Sequence, residues 1–188
     1  NEDALWPAMT AVHDEFGLSA RHLTVSTVGL VPGIRRLADR PLPVTLAVSL
    51  HAAHDDLRNT LIPMNRRYPI DELLDACSHY VSQRKRRMSF EWAMIDGVND
   101  SVEEAEALAE LCRRLRPIAH VNLIPLNRTA GYEYQGSRRS QIEKFQQVLT
   151  RRGVDATIRR NRGNDIDAAC GQLAAMTPVT ITKGAAQT

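Results

Sequence analysis

The sequence predicts an α/β protein in which parallel strands alternate with helices. Five strand-like runs, separated by helix-like runs, follow one another along the 188 residues. Each interval between successive strands is long enough for the crossover connection that parallel pairing requires. The run over residues 44–50 is almost continuously apolar, which is typical of a strand covered on both faces. No internal repeat is visible in the sequence, so a repeat architecture is not expected.

In the first half of the chain, apolar residues recur at helical spacing from Leu5 to Phe16, and Gly17 follows as a stop signal. Pro63 closes a further short helix. The predicted elements of this half are helices over residues 3–16, 32–38 and 55–61, and strands over residues 22–27 and 44–50.

In the second half, side-chain caps indicate where two helices begin. Ser101 with Glu104, and Ser140 with Glu143, have the spacing of a capping box, and Gly153 ends the second of these helices. Helices are predicted over residues 70–81 and 101–115 and from 140 to the stop at 153, with strands over residues 88–95, 120–126 and 154–160.

Composition sets broad limits on function. Hydrophobic residues make up 43% and charged residues 24% of the chain, as in a soluble globular domain, and the length allows one domain with a core. No apolar run is long enough to cross a bilayer and no secretory signal is visible, so no membrane partner is expected. The net charge is only +2, but arginines cluster at residues 84–87, 113–114, 138–139, 151–152 and 159–162. Such clusters fit either solvated helix ends or a surface that binds a phosphate backbone.

The three cysteines, Cys77, Cys112 and Cys170, are odd in number and far apart. They predict a reducing compartment, hence the cytoplasm, and no disulfide framework. Their spacing fits neither a zinc ribbon nor an iron–sulfur motif. Cys77 and Cys112 lie on apolar helix faces and are predicted core residues, whereas Cys170 lies among small residues that leave its sulfur room. A free cysteine judged on base rates alone is a small buried hydrophobe, so the residues around Cys170 do not by themselves establish a reactive thiol.

Polar residues follow four of the predicted strands, in segments 26–29, 49–51, 96–100 and 122–127. Ligands of parallel α/β proteins bind at the carboxyl ends of the strands, so together these segments predict a site for a small ligand rich in heteroatoms. Taken singly, each segment also fits local turn or cap chemistry. The sequence contains no dinucleotide fingerprint, phosphate-loop lysine motif or HExxH zinc motif, and a serine triad cannot be assigned.

Four segments follow one another along the chain, namely VSTVGLVP at 25–32, AVSLHA at 47–52, VNLIPLN at 121–127 and RGNDIDAACGQL at 162–173. In this order they resemble the radical S-adenosylmethionine methyltransferases that modify adenine in large-subunit ribosomal RNA. The resemblance implies the C-terminal part of a partial (β/α)6 barrel, with the first two strands missing because they would lie upstream. It covers residues 1–173, a barrel portion with a cysteine-bearing loop, and residues 174–188 are expected to form a flexible tail.

The resemblance also implies the roles of individual residues. Five positions match residues that line the S-adenosylmethionine site, namely Ser26, Ser49, Leu50, His51 and Asn127. Cys170 matches the cysteine that is first methylated and then carries a methylene group to adenine, which requires a thiolate. Arg159, Arg160 and Arg162 precede this cysteine and are candidates for binding RNA.

For the whole enzyme, the resemblance implies methylation of carbon 2 of an adenine in 23S rRNA and in some tRNAs, with a flavodoxin-type electron donor. It also implies a 4Fe–4S cluster, but the family's CxxxCxxC cluster loop, its glycine–glutamate motif and its resolving cysteine are not in this sequence. The chain alone is therefore expected to bind no cluster and to be inactive.

Three alternatives remain open. A sister group of the same family methylates carbon 8 of the adenine. A non-catalytic RNA-binding module would use the arginine clusters without needing Cys170. A barrel enzyme acting on a small phosphorylated substrate would need a phosphate-binding loop, and none is visible in the sequence.

Overall fold

The computed structural model describes residues 2–127 and 134–159 of the chain. The six α-helices in these ranges are α1 (Glu2–Asp14), α2 (Val31–Asp39), α3 (Asp55–Leu61), α4 (Ile70–Arg84), α5 (Val102–Arg113) and α6 (Arg139–Arg151). The five strands are β1 (Thr24–Thr27), β2 (Thr45–Ser49), β3 (Ser89–Met94), β4 (His120–Pro125) and β5 (Ala156–Ile158). Short 3-10 turns cover Ala20–His22 and Pro63–Arg66.

The strands form one sheet in the order β1-β2-β3-β4-β5, and each strand is parallel to its neighbours. The predicted alternation of parallel strands with helices is therefore confirmed. The last strand is shorter than predicted, since only three residues of the run 154–160 pair with β4. Among the described residues, none of the helices has the length and apolar character needed to span a membrane.

One face of the sheet packs against the helices and forms the core. On β3, Phe90, Trp92 and Met94 are fully buried on this face, and the Trp92 ring lies 5.8 Å from the ring of Phe145 on α6. Cys77 of α4 and Cys112 of α5 belong to the same cluster, as predicted, and burial raises the pKa of each thiol to about 12.

The opposite face of the sheet is mostly polar, and we call it the polar face. Its polar members are Thr24, Ser26, Thr45, Ser49, Ser89, Glu91, His120, Asn122 and Thr157, and Ala47, Ala93 and Ile124 lie on the same face. They alternate with core residues because successive side chains of a strand point to opposite sides of the sheet. The sequence Ser89-Phe-Glu-Trp-Ala-Met of β3 follows this period of two residues. Because paired residues of neighbouring strands lie on the same side of the sheet, the polar face continues across all five strands.

The two predicted capping boxes have different outcomes. Ser101 caps α5 as expected, because its hydroxyl accepts a hydrogen bond from the Glu104 N–H at 3.2 Å. The prediction for Ser140 is wrong. The N-cap residue of α6 is Arg138, two residues before Ser140, and no side chain caps the helix. Glu143 pairs with Arg139 instead, with Nε and Oε1 2.8 Å apart.

Candidate functional site

The register of the sheet aligns four polar side chains in one row across the polar face. Ser49 of β2 lies opposite Glu91 of β3, Glu91 lies opposite Asn122 of β4, and Asn122 lies opposite Thr157 of β5. Paired residues of neighbouring strands lie on the same face, so all four project from one side of the sheet. The row runs from β2, the neighbour of the edge strand β1, to β5 at the opposite edge.

Glu91 is the centre of this row. Its Oε1 accepts hydrogen bonds from the Ser89 hydroxyl at 2.9 Å and from Asn122 Nδ2 at 2.8 Å. Its Oε2 lies 3.8 Å from Arg159 Nη1, and the Glu91 side chain is only 13% exposed while that of Arg159 is 60% exposed. Arg159, a predicted RNA contact, therefore reaches over the polar face with its guanidinium partly in solvent.

His51 follows β2 in a left-handed backbone conformation, with φ 59°. Its Nδ1 lies 3.0 Å from the Ala93 backbone N–H, which fixes Nδ1 as an acceptor and leaves the proton of the neutral ring on Nε2. Burial, together with the positive charge of Arg58, lowers the pKa of His51 to about 4. At neutral pH the ring is therefore an uncharged donor through Nε2.

The protonation state of His51 predicts a pH dependence of stability. A histidine whose pKa is about 4 in the folded state and 6.5 when unfolded binds fewer protons when folded. The free energy of unfolding is therefore expected to fall as the pH drops from about 6.5 to about 4 and to gain nothing from this group above that window. Urea denaturation of the wild type and of His51→Asn at pH 7 and pH 5 measures the effect.

Asparagine is the suitable replacement because it tolerates a positive φ and keeps an acceptor near the Ala93 N–H. The wild type is expected to lose more stability than His51→Asn between the two pH values. Equal losses in the two proteins would contradict a depressed pKa of His51.

The remaining predicted ligand positions lie at different places. Ser49 is half-buried on the polar face, and Ser26 is exposed on β1, where it pairs with Ala47, two residues before Ser49. Ser26, Ser49 and His51 therefore gather where β1 and β2 end. Asn127 lies two residues beyond β4, which is separated from β2 by β3.

Leu50 contributes differently from its neighbours. Its side chain is fully buried in the core. Its N–H donates to the Glu91 carbonyl at 3.1 Å, and its carbonyl accepts from Arg58 Nε at 3.0 Å. Leu50 thus fixes the backbone at the end of β2, while the neighbouring residues Ser49 and His51 contribute polar side chains to the candidate site.

The polar segment 96–100 is largely structural. Asn99 is fully buried, and its Nδ2 donates to the carbonyls of His51 and Ala93, each at 2.8 Å. The Asp100 carboxylate accepts from the Gly97 N–H at 3.1 Å, where Gly97 has a φ of 66°. Of the two interpretations that the sequence allowed for these residues, the structure supports turn chemistry.

Two residues of the candidate site, Glu91 and Arg58, were not predicted from the sequence. Glu91 lies inside a predicted strand, and the signal that could have found it is the alternation of polar and apolar residues in β3. Arg58 occupies a short helix where a charged residue is normally solvated, yet it is fully buried. No local sequence pattern predicts that Arg58 is buried.

Several predictions fall on residues that the structure does not describe. Cys170, Arg160 and Arg162 lie outside the described ranges. Within residues 2–127 and 134–159, no three histidine, cysteine or carboxylate side chains converge on a metal position. Cys77 and Cys112 do not fit a cluster, since both thiols are packed in the core with pKa values near 12.

Curated proteins of high similarity exist, although no family model matches the chain. A probable dual-specificity RNA methyltransferase RlmN of Parafrankia sp. is 57% identical over 171 residues, which are 91% of this chain and 44% of the relative. The dual-specificity RNA methyltransferase RlmN 1 of Myxococcus xanthus is 50% identical over 177 residues, which are 93% of this chain and 49% of the relative. The chain thus spans about half the length of the curated relatives it matches.

Solved structures agree with this similarity. A radical SAM methyltransferase from Sphaerobacter thermophilus matches with a TM-score of 0.86 and 52% identity, over 90% of this chain and 50% of that one. A domain of a pyruvate-formate lyase-activating enzyme from Bacteroides vulgatus matches with a TM-score of 0.61 and 20% identity, over 85% of this chain and 95% of that one. The second likeness, at 20% identity, concerns the fold alone.

Proposed function

We propose that this chain, which belongs by homology to the RlmN family of dual-specificity RNA methyltransferases, forms part of a radical S-adenosylmethionine enzyme that methylates RNA. In the proposed enzyme, the residues at the ends of β1 and β2 bind S-adenosylmethionine. Cys170 carries the methyl group. The substrate position is carbon 2 of an adenine in 23S rRNA, and in some tRNAs.

The observation that carries the proposal is the gathering of Ser26, Ser49 and His51 at the carboxyl ends of adjacent parallel strands. This is where α/β proteins bind ligands. S-adenosylmethionine offers ribose hydroxyls, a carboxylate and adenine nitrogens. The two serine hydroxyls and the Nε2–H of neutral His51 complement these groups, so the residues present fit the cofactor.

The chain's own contribution is placement. His51 presents one donor, held by the Ala93 N–H on the far side of its ring. The ring stays uncharged at neutral pH, so it does not repel the sulfonium of S-adenosylmethionine. When bound, S-adenosylmethionine supplies the methyl group and, with a reduced cluster, the radical chemistry that an unreactive aromatic carbon requires. The described residues do not hold the cluster, so no step through it is assigned to them.

Methyl transfer to RNA tests the proposal directly. The full-length protein, loaded with iron and sulfide under anaerobic conditions, is incubated with methyl-labelled S-adenosylmethionine, a reductant and unmodified 23S rRNA. Label is expected in the RNA, and nucleoside analysis is expected to give 2-methyladenosine. A product methylated at carbon 8 would assign the protein to the sister activity. RNA that binds but acquires no label would favour the RNA-binding module.

The pairing of Arg159 with Glu91 predicts opposite effects of two substitutions on RNA affinity. Arg159→Gln removes a positive charge, so binding is expected to weaken and the slope of log K against log salt to fall by about 1. Glu91→Gln keeps the acceptor for Ser89 and Asn122 but releases the Arg159 guanidinium. It is expected to strengthen binding modestly. Filter binding across a salt series measures both.

The matched control is Arg113→Gln, which removes an exposed arginine paired to Glu110 on α5. If Arg159→Gln and the control shift the salt dependence equally, the loss reflects overall charge. In that case Arg159 has no specific role in binding RNA.

A further inference from the structure

Arg58 of α3 is fully buried and donates four hydrogen bonds. Its Nε reaches the Leu50 carbonyl at 3.0 Å, and its Nη2 reaches the carbonyls of Ser49 at 3.1 Å and Val28 at 2.9 Å. Its Nη1 donates to Asn65 Oδ1 at 2.7 Å. Three of the four acceptors are backbone carbonyls where β1 and β2 end, so one rigid guanidinium joins the ends of two adjacent strands.

The remaining partner fixes Arg58 to the turn after α3. Asn65 is itself buried, and its Nδ2 donates to the Asp55 carboxylate at 2.8 Å and to Asn59 Oδ1 at 2.9 Å. The same carboxylate accepts from the Ile70 N–H at 2.9 Å, at the start of α4. The guanidinium is therefore oriented by a network that begins at α4 and ends at the two strands.

The hydrogen bonds of Arg58 restrain the backbone around Leu50, directly before His51. A non-glycine residue with a positive φ, such as His51, is strained and persists only where its surroundings hold it. The carbonyl before His51 is held by Arg58, its own carbonyl by Asn99, and its ring by the Ala93 N–H. Among these three restraints, only the one from Arg58 also fixes the Ser49 carbonyl and the end of β1.

We propose that Arg58 is a positioning residue of the cofactor site: by binding the carbonyls of Val28, Ser49 and Leu50 it fixes the spacing of the two strand ends and aims Ser49 and His51. The proposal rests on the proposed function in that the aimed groups bind S-adenosylmethionine. Arg58 itself does not touch the ligand and acts only through these backbone atoms. A planar guanidinium suits this role because its donors have a fixed geometry, which a lysine ammonium lacks.

A second observation supports the proposal from the other side of the guanidinium. Gly29 follows Val28 with a φ of 104°, and a Cβ built on it would lie 3.1 Å from Arg58 Nη2 and 3.3 Å from Leu73 Cδ2. The backbone thus approaches the guanidinium closely at this point. Gly29→Ala therefore disturbs the position of Arg58 without removing its charge.

The electrostatic influence of Arg58 on His51 gives a spectroscopic readout besides ligand binding, and Gly29→Ala, which keeps the charge, tests positioning through that readout. The charge of Arg58 contributes to the low pKa of His51. Removing the charge in Arg58→Met is expected to raise that pKa, while Arg58→Lys keeps the charge and is expected to preserve most of the lowering. Long-range ¹H–¹⁵N spectra of histidine-labelled full-length protein report the tautomer and pKa of His51, whose signal is identified by its loss in His51→Asn.

The experiment compares Arg58→Met, Arg58→Lys and Gly29→Ala in the cluster-loaded full-length protein, with S-adenosylmethionine affinity from titration calorimetry as a second readout. Affinity is expected to fall at least about tenfold in Arg58→Met, and less in Arg58→Lys and Gly29→Ala. Two controls accompany them. Arg66→Met removes a nearby exposed arginine, and Leu108→Ala destabilises the core away from the site. Both controls should leave the affinity and the His51 signals unchanged.

Wild-type His51 signals and wild-type affinity in a folded Arg58→Met protein would overturn the proposal. If Arg58→Met does not fold, unchanged signals and affinity in both Arg58→Lys and Gly29→Ala would overturn it equally. The His51 spectra are recorded without ligand. A wild type that binds no S-adenosylmethionine would therefore refute the proposed function, while altered His51 spectra in Gly29→Ala, which keeps the Arg58 charge, would still support positioning by Arg58.

Discussion

Replacement of Cys170 with alanine is expected to lower methyl transfer to RNA at least about 10³-fold, while binding of S-adenosylmethionine is retained. The reason is chemical. Carbon 2 of adenine is electron-poor and does not attack a sulfonium methyl group, so the proposed reaction needs an intermediate carrier. A thiolate can accept the methyl group, and alanine offers no nucleophile. Peptide mass mapping of the wild-type protein is expected to find one methyl group on Cys170.

The chain provides matched controls for this substitution. Cys77→Ala and Cys112→Ala also remove one sulfur each, but from packed core positions. They are expected to lower stability by about 1 kcal/mol and to leave methylation intact. Full methylation by folded Cys170→Ala would refute the carrier role. Loss of methylation in all three variants would attribute the effect to folding instead.

Replacement of Asn99 with alanine is expected to lower the free energy of unfolding by about 3 kcal/mol. The Asn99 side chain is fully buried, and its Oδ1 accepts from the Ile95 N–H at 2.8 Å while its Nδ2 donates to the carbonyls of His51 and Ala93. Alanine would leave three buried backbone groups without this partner. Urea denaturation measures the loss, with the midpoint shifting while the slope stays constant.

Asn122→Ala is the control for Asn99→Ala. Asn122 is half-buried on the polar face and donates one hydrogen bond to Glu91, at 2.8 Å. Its replacement is expected to lower the free energy of unfolding by about 1 kcal/mol or less. Equal effects of the two substitutions would mean that the buried network around Asn99 does not stabilise the fold more than an ordinary surface contact.

The order of strands and helices was predictable because each element carries its own periodicity. Helix α3 was predicted with the bounds it has in the structure, and the helix α4 and the strands β2 to β4 were found within three residues at each end. The start of α6 was not predicted correctly. The spacing of Ser140 and Glu143 suggests a cap at Ser140, but the backbone is extended at Arg138, with a ψ of 147°, and the helix begins directly after that residue. A capping motif shows that a helix start is possible there, and the path of the entering chain decides where the helix begins.

The site was predictable only in outline. Polar residues after strands marked its edge, since the carboxyl ends of parallel strands meet there. The roles of Glu91 and Arg58 were hidden, because each depends on segments that are distant in sequence. Arg58 is buried only because the ends of β1 and β2 and the turn carrying Asn65 converge on it. The neutral state of His51 likewise follows from burial and from a neighbouring charge, neither of which is visible in a short motif.

The packing of Cys77 and Cys112 has a practical consequence for chemical labelling. At neutral pH a thiol with a pKa near 12 is almost entirely protonated, and alkylating reagents react with the thiolate. Neither cysteine is therefore expected to react with iodoacetamide or maleimide in the folded protein. Attachment of a fluorophore or spin label to either of these two cysteines under native conditions would therefore signal local unfolding.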